Sequence, residues 1–421
     1  MNKDTIEETF SAQNSIQPIT DDFSSDGAIE NEYARVDHQH ALSPSLRNRL
    51  GLDTSSGGLG GLTALRNLAH NGQFNVKQRL ATTVNPITAV GVVLADRFRA
   101  YNNTVGVAFL GYTTTTGFTG VPWTLPTPRP ANIQYIQFST ADAALAAGDY
   151  LIYEQSYEGL SLQHLMFGQV NAKNTIVSFD CFSTVADTYV LVCDNITPNR
   201  EISKAFSVAA GWNHVVISLP GDPVSVIPNN NGRDFRISIW IAVGTSYSGG
   251  AALNTSWATG PATNTIAVGV TNNLPKTVGN IFALTNFQWE IGTVPTNYEI
   301  MPFSQELSIC ERYLEVFDSV INNVTPFGAG MCYSATQAII FIPFKTRKRA
   351  NPTSNLAAAN LFACYNSAGV IIAGTVVALN QIGQTAIQIS ITVAAGLLGG
   401  NGTTMVSNVS TASFIEIIAE L

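Results

Sequence analysis

Charged side chains are scarce. Asp, Glu, Lys and Arg make up 12% of the chain, about half the share of an ordinary globular protein. Long runs of Lys, Glu and Leu, the signature of helical bundles, are missing. With 21 Lys and Arg set against 29 Asp and Glu, no broad basic face can be built, so nucleic acid is not an expected partner. The cysteines, Cys181, Cys193, Cys310, Cys332 and Cys364, are odd in number and widely spaced. Without a CxxC pair they form neither a zinc knuckle nor a disulfide scaffold, and buried free thiols in a reducing compartment are expected. The longest apolar runs, such as GVIIAGTVVAL at 369–379, fall far short of the ~20 residues of a membrane helix. The N-terminus has no basic, apolar signal segment. A soluble chain without membrane insertion is therefore expected.

What is present fits β structure. Hydrophobic residues make up 45% of 421, enough for a substantial core, and the length implies two or three domains. Thr, Asn, Ser, Gly and Val take the place of the missing charge, a mixture that suits strands joined by turns. The net charge of −8 is concentrated at one end. Residues 1–33 hold Asp4, Glu7, Glu8, Asp21, Asp22, Asp26, Glu30 and Glu32 against Lys3, a net of −7, so the remaining body is near neutral. Alone, such an acidic segment would be mobile, and another protein is the natural candidate to hold it.

The pattern divides the chain in three. Residues 1–65 form an N-terminal segment. It contains one or two helical turns in LSPSLRNRLGL, capped by Ser43 with Pro44 at the first helical position, and the Gly-rich linker SSGGLGGL. Lacking a GK[ST] ending and a preceding strand, that linker is not a phosphate loop. Residues 66–303 read as a jelly-roll-like β-sandwich. TIVSFDCFS (175–183), TYVLVCDNI (188–196), WNHVVISLP (212–220) and DFRISIWIAVG (234–244) are strand-like and separated by turn residues. GNIFALTNFQWEIG (279–292) closes it, with Phe287, Trp289 and Ile291 on one face. Residues 304–421 read as a helix followed by a small C-terminal β domain. In SQELSICERYLEVF, Leu307, Cys310, Leu314 and Phe317 recur at helical spacing behind Ser304 as N-cap. The fold class is mainly β.

Three motifs in this order resemble bacteriophage tail-fibre and related receptor-binding virion proteins. EYARVDHQHALSP (32–44) is like the YARxDHxHP element near the N-terminus of many phage structural proteins. RNLAHNGQFNVKQRL and VLADRFRA (66–100) look like the NGxFxxWQRG…YxADRW opening of a carbohydrate-binding-module-like sandwich. FQWEIGTVPTNYEIMPFSQELSICERYLEVF (287–317) is similar to that sandwich's closing segment. IPFKTRKRANPTS (342–354) and the terminal IIAEL match the small domain that often follows. The sequence departs from the family at Lys77 and Phe98, where tryptophans are usual, and at Ala41, where proline is usual. A sugar platform built on the first of those tryptophans would be missing.

The candidate chemistry is sparse. His38 and His40 share a side of an extended segment, and one chain supplies too few ligands for a closed site. A homotrimer would bring six imidazoles to its axis, enough for a transition-metal ion, and the resemblance permits such a cluster. The bland alternative is that Asp37 and the histidines make turn hydrogen bonds between chains. Sugar sites need flat aromatic faces beside hydrogen-bonding side chains. Trp240 and Trp289 lie in apolar strand contexts and read as core. Trp123 in GVPWTLPTP and Trp257 in NTSWATG lie in loop-like surroundings and are the better glycan candidates. Tyr153 and Tyr157 are weaker ones. Glu154 and Glu158, four apart with Asp149 near, are the paired acids a glycosidase would need. No internal period marks the β-helix of depolymerising spikes, so no enzymatic activity is expected. The basic cluster KTRKR (345–349) reads as a solvated loop, with an acidic cell surface or the acidic N-terminal segment as complementary partners.

The expectation is a virion appendage protein, made in the host cytoplasm. It would attach to other virion structural proteins through its acidic N-terminus and bind host cell-surface glycan as a homotrimer packed through Leu307, Cys310, Leu314 and Phe317. The competing readings are a purely structural fibre, collar or decoration protein, and a glycan-cleaving tail spike. If His38 and His40 meet on a trimer axis around an ion, elemental analysis of the purified chain will find a transition metal in proportion to the trimer. Finding none discards the metal.

Overall fold

The alternating runs form strands close to where the sequence places them. The computed structural model describes residues 66–79, 81–118, 122–319, 324–408 and 413–421; His38 and His40 lie outside them. Strands β1 (Thr83–Val84), β2 (Val92–Val93), β3 (Phe98–Asn103), β4 (Val107–Thr114), β5 (Asn132–Thr140), β6 (Tyr150–Glu158), β7 (Thr175–Ser183), β8 (Asp187–Asn195), β9 (Arg200–Val208), β10 (Gly211–Leu219), β11 (Arg233–Val243), β12 (Ala258–Thr259) and β13 (Ile281–Ile291) build a two-sheet sandwich. One sheet has the order β1-β4-β5-β13-β7-β10 and the other β12-β9-β8-β11-β6-β3-β2. The expected strands at 175–183, 188–196, 212–220 and 234–244 correspond to β7, β8, β10 and β11 within one residue at either end.

Period-two alternation decides which side chains enter the core. Val177, Phe179 and Cys181 of β7 face inward together with Leu191 and Cys193 of β8, all fully buried. In β13 the inward residues are Phe282, Leu284, Phe287 and Trp289. The switch from even to odd numbers marks a bulge between Thr285 and Gln288. Phe287 stacks on Phe179 at 5.8 Å, and Trp289 on Phe235 at 5.1 Å. Trp240 and Trp289 are 4% and 1% exposed, as their apolar contexts imply.

The helical stripe is broken. The helix α2 spans Phe303–Glu311, with Pro302 rather than Ser304 at its N-cap; the other α-helix among the described residues, α1, is the single turn Thr245–Ser248. Leu314 and Phe317 belong to strand β14 (Leu314–Asp318), not to a helix. Cys310 and Leu314 are fully buried inside their own chain. The four-residue face expected to pack between chains therefore does not exist as one surface. Tertiary pairing overrides helical spacing here: Leu314 lies opposite Ile418, and Phe317 opposite Ile415, of the last strand.

After β14 the chain forms β15 (Pro326–Cys332), β16 (Gln337–Pro343), β17 (Thr353–Leu356), β18 (Phe362–Tyr365), β19 (Ile371–Ile382), β20 (Ala386–Val393), β21 (Gly402–Ser407) and β22 (Phe414–Ile418). Six of them close into a barrel, β15-β16-β20-β19-β18-β21, while β14-β22-β17 form a small sheet beside it. The barrel interior is filled by Ile340, Ile342, Ile387, Ile389, Ile391 and Met405.

The segment KTRKR is a buckle rather than a free basic loop. Lys348 is fully buried, its ammonium 2.6 Å from Glu315 Oε2 and donating also to the Glu311 carbonyl. Burial lowers the Lys348 pKa, while Glu315 and Glu311 hold it up. Arg349 donates to the carbonyls of Ala419 and Glu420, and Lys345 pairs with Glu311 at 3.1 Å. Replacing Lys348 by Met removes the ion-pair partner of the buried Glu315, at an expected cost of about 3–5 kcal/mol. The double change Lys348→Met with Glu315→Leu should recover most of it. Thermal and urea unfolding of the three proteins check this.

Candidate functional site

The outward face of the six-stranded sheet carries an aromatic stripe. The odd positions of β10, Val215, Ile217 and Leu219, point into the core, so Trp212 and His214 point out. Trp212 lies opposite Phe182 in the register, and His214 opposite Asp180. The loop between β4 and β5 folds back over this face. Its Thr115 amide donates to the Ala131 carbonyl at 2.9 Å, and its Thr127 hydroxyl to Asp180 at 2.9 Å. Pro122, Pro126, Pro128 and Pro130 stiffen it. It delivers Trp123 onto Trp212, with ring centroids 4.6 Å apart and planes inclined by 52°. Phe118, from the same loop, stands edge-on to Phe182 at 5.5 Å and leans on Tyr135 at 5.8 Å. Tyr135 meets Phe109 of β4 at 6.0 Å. The stripe thus crosses the sheet from β4 to β10.

Polar groups lie beside the rings. Asp180 is fully buried and accepts from Thr127, from Asn286 at 2.6 Å and from His214 Nδ1 at 2.7 Å. A carboxylate only accepts, so it fixes the imidazole proton on Nδ1 and leaves Nε2 without a protein partner among the described residues. His214 is 38% exposed at its side chain. The Trp212 indole N–H is buried and unpaired, whereas the Trp123 indole donates to the Thr127 carbonyl at 3.2 Å. Both tryptophans are half-buried.

The other sequence candidates sit elsewhere. Trp257 is half-buried against Phe167, at 5.5 Å, and its indole donates to the Pro220 carbonyl at 2.8 Å; it covers one edge of the core. Tyr153 is 3% exposed and its hydroxyl donates to Gln134. Tyr157 is 1% exposed and packs on Trp289 at 4.9 Å. Neither tyrosine presents a flat face to solvent. Glu154 and Glu158 share the opposite face of β6 and are each tied in ion pairs, Glu154 with Arg233 at 2.5 Å and Glu158 with Arg312 at 2.7 Å. Leu307 is half-buried on α2 and Phe317 packs on the barrel core. Among the described residues no group of three or more His, Cys, Asp or Glu could hold a metal.

Sequence reasoning missed Trp212, Phe182, Asp180 and His214. Alternation in WNHVVISLP was enough to turn Trp212 and His214 away from the core. Nothing in the sequence placed β7 beside β10, or Trp123 above both.

A second concave feature, a cleft of about 430 Å³, lies between α2 and the 3-10 turn Gly159–Leu165, lined by Leu68, Leu162, Met301, Ile309, His70 and Tyr313 among others. Burial, with Arg97 adding to it, lowers the His70 pKa to about 3. Its Nδ1 accepts from Arg97 Nε at 3.4 Å, so the ring proton sits on Nε2.

No family model matches this chain, and no curated protein matches it. Among solved structures it is similar to TmCBM61 in complex with β-1,4-galactotriose, at 9% identity and a TM-score of 0.24, covering 46% of this chain and 88% of that one. It is similar to a putative sugar binding protein from Bacteroides thetaiotaomicron, at 9% identity and a TM-score of 0.27, covering 53% and 99%. It is also similar to the enzymatically active domain of bacteriophage CBA120 tailspike protein 4, at 11% identity and a TM-score of 0.26, covering 54% of this chain and 21% of that one. TM-scores of this size leave functional argument to the chain's own geometry.

His70 generates a prediction. Its folded pKa of about 3 lies below its ordinary value of 6.5, so below pH 6.5 the unfolded chain takes up a proton that the folded chain refuses. Stability should therefore fall as pH drops from about 6.5 towards 3. The urea midpoint of a His70→Gln variant should fall less over that window than the wild type's.

Proposed function

We propose that this chain is a non-catalytic virion appendage protein that binds host-surface glycan through the outer face of its six-stranded sheet. One observation carries the glycan reading: Trp123 and Trp212 meet, half-exposed, beside the oriented His214–Asp180 pair. Pyranose rings offer C–H faces that pack on aromatic surfaces and hydroxyls that need donors and acceptors at the rim. The outer face supplies both, on a proline-stiffened loop that has little entropy to lose on binding. Binding without cleavage fits the ion pairs that occupy Glu154 and Glu158.

The virion assignment rests on the order of the three sequence motifs and on the acidic segment 1–33, which suits a basic partner surface. A homotrimer would turn individually weak sugar contacts into useful avidity. His38 and His40, outside the described residues, remain the proposed axial cluster of that trimer, with or without a metal ion.

A glycan array probed with the full chain should give hits. Trp123→Ala should weaken them by about tenfold, roughly 1.4 kcal/mol, with unfolding unchanged because the ring is a half-exposed loop residue. No hits, together with no competition against phage adsorption, would leave a purely structural role. Antibody labelling in electron microscopy places the chain on, or off, the particle.

A further inference from the structure

The cleft between α2 and the 3-10 turn has the build of a small-molecule site. Its volume of about 430 Å³ lies in the range that such ligands fill. Separate pieces of chain wall it with apolar side chains: Leu68 ahead of β1, Leu162 on the 3-10 turn, Met301 before α2 and Ile309 on α2. Leu68, Met301 and Ile309 are half-buried, so each keeps surface that no protein atom covers.

Two polar groups in this lining lack partners. Tyr157 is 1% exposed, and its hydroxyl is buried with no hydrogen-bond partner. Among the described residues it is the one lining side chain with an orphaned polar atom of this kind. Leaving a buried hydroxyl unpaired is costly, and native proteins meet such groups with protein, water or ligand. His70 stands against Tyr157, with ring centroids 6.0 Å apart and planes inclined by 64°. Its Nδ1 is taken by Arg97, which leaves Nε2–H as a donor without a protein acceptor among the described residues. Burial keeps the ring neutral, with its pKa lowered to about 3.

The same lining offers no charge to a ligand. Arg312 gives Nε and Nη2 to the Glu158 carboxylate, both at 2.7 Å, and Nη1 to the Arg347 carbonyl at 3.5 Å. No Asp or Glu lines the cleft, and His164, which does, is solvent-exposed. An anion would find no unmatched cation, and a cation no carboxylate, so burying either there is expensive. A molecule hydroxylated all round would leave most of its hydroxyls against leucine, methionine and isoleucine.

We propose that this cleft binds an uncharged, largely apolar small molecule whose one carbonyl or hydroxyl oxygen meets the free polar groups of His70 and Tyr157. Such a ligand touches Leu68 and Leu162 of the sandwich and Ile309 of α2 at once, so it tightens the joint between them. The cleft shares no residue with the aromatic face of the six-stranded sheet, and its occupancy does not depend on glycan binding.

Four probes of similar size separate charge from hydrogen bonding: benzamide, benzoate, benzylammonium and toluene. The chain has five methionines, and labelling their methyl groups with carbon-13 makes Met301 a reporter inside the cleft. Benzamide added to the full chain at about millimolar concentration should shift the Met301 signal, assigned with Met301→Leu, and leave the other methionine signals in place. It should bind about tenfold more tightly than each of the other three and raise the thermal midpoint. Ile309→Trp, at a half-buried α2 position, should fill the cleft and abolish the shift, with circular dichroism unchanged. His70→Phe should reduce benzamide to the affinity of toluene. Where His70→Phe fails to fold because Arg97 loses a partner, benzamide against toluene on the wild type gives the same reading. No Met301 shift with benzamide, an undiminished shift in Ile309→Trp, or binding of benzoate or benzylammonium as tight as that of benzamide overturns the proposal. Toluene binding as tightly as benzamide overturns the part assigned to His70 and Tyr157.

Discussion

The Arg97 guanidinium carbon sits over the Tyr313 ring, 3.4 Å from its centroid, and the joint between sandwich and C-terminal module is built around that contact. Arg97 is 4% exposed and has a left-handed backbone, φ 76°. It donates to the Ser156 carbonyl and reaches Glu420 at 3.5 Å. A guanidinium this deep is tolerated only with its donors occupied and its charge met. The motif around it supplies the frame. Asn71 bonds the backbone of Val76 and Asp96 from a left-handed turn, and Gly72 passes so close to the Phe287 carbonyl that an added Cβ would lie 2.0 Å from it. Gln78 bonds Asp96 at 2.7 Å and the Leu314 carbonyl at 2.6 Å, and accepts from the Val316 amide at 3.2 Å.

That frame gives the recognisable sequence anchors a common physical purpose. HNGQF, ADRF, ERYL and IIAEL come from distant parts of the chain and meet at one joint. Lys77 and Phe98, two of the three positions that depart from the motifs the sequence resembles, fall differently on it. Phe98 is core, edge-on to Phe74 at 5.0 Å and to Phe287 at 5.5 Å. Lys77 instead donates to the Arg79 carbonyl at 2.7 Å and stands 5.4 Å above the Tyr112 ring. Asp96, buried against this network, has its pKa raised to about 7, with Gln78 opposing the shift. The buried Lys348–Glu315 pair fastens the barrel side of the joint in the same manner.

The outer sheet face presents tryptophans on a fixed floor of strands, with Asp180 satisfied by three donors and hence fixed in place. The sheet face combines flat aromatic surfaces with hydrogen-bonding groups at their rim. It differs from the barrel in charge: the sheet face keeps His214 and Asp180, whereas the six barrel strands carry amides but no Asp, Glu, Lys, Arg or His.

The sequence by itself determined the strands and their faces, because alternation is local. β7, β8, β10 and β11 could be read within a residue, and so could the core role of Trp240, Trp289 and the inward side of β13. It also set the charge distribution. It failed where two local signals competed: the spacing of Leu307, Cys310, Leu314 and Phe317 fits a helix, yet pairing with the final strand more than a hundred residues away extends the last part. Tertiary structure alone decided that Lys348 is buried and that Trp123 lands on Trp212. Each of those outcomes depends on which strand becomes a neighbour, and a pairing between distant segments leaves no trace in the spacing of either one.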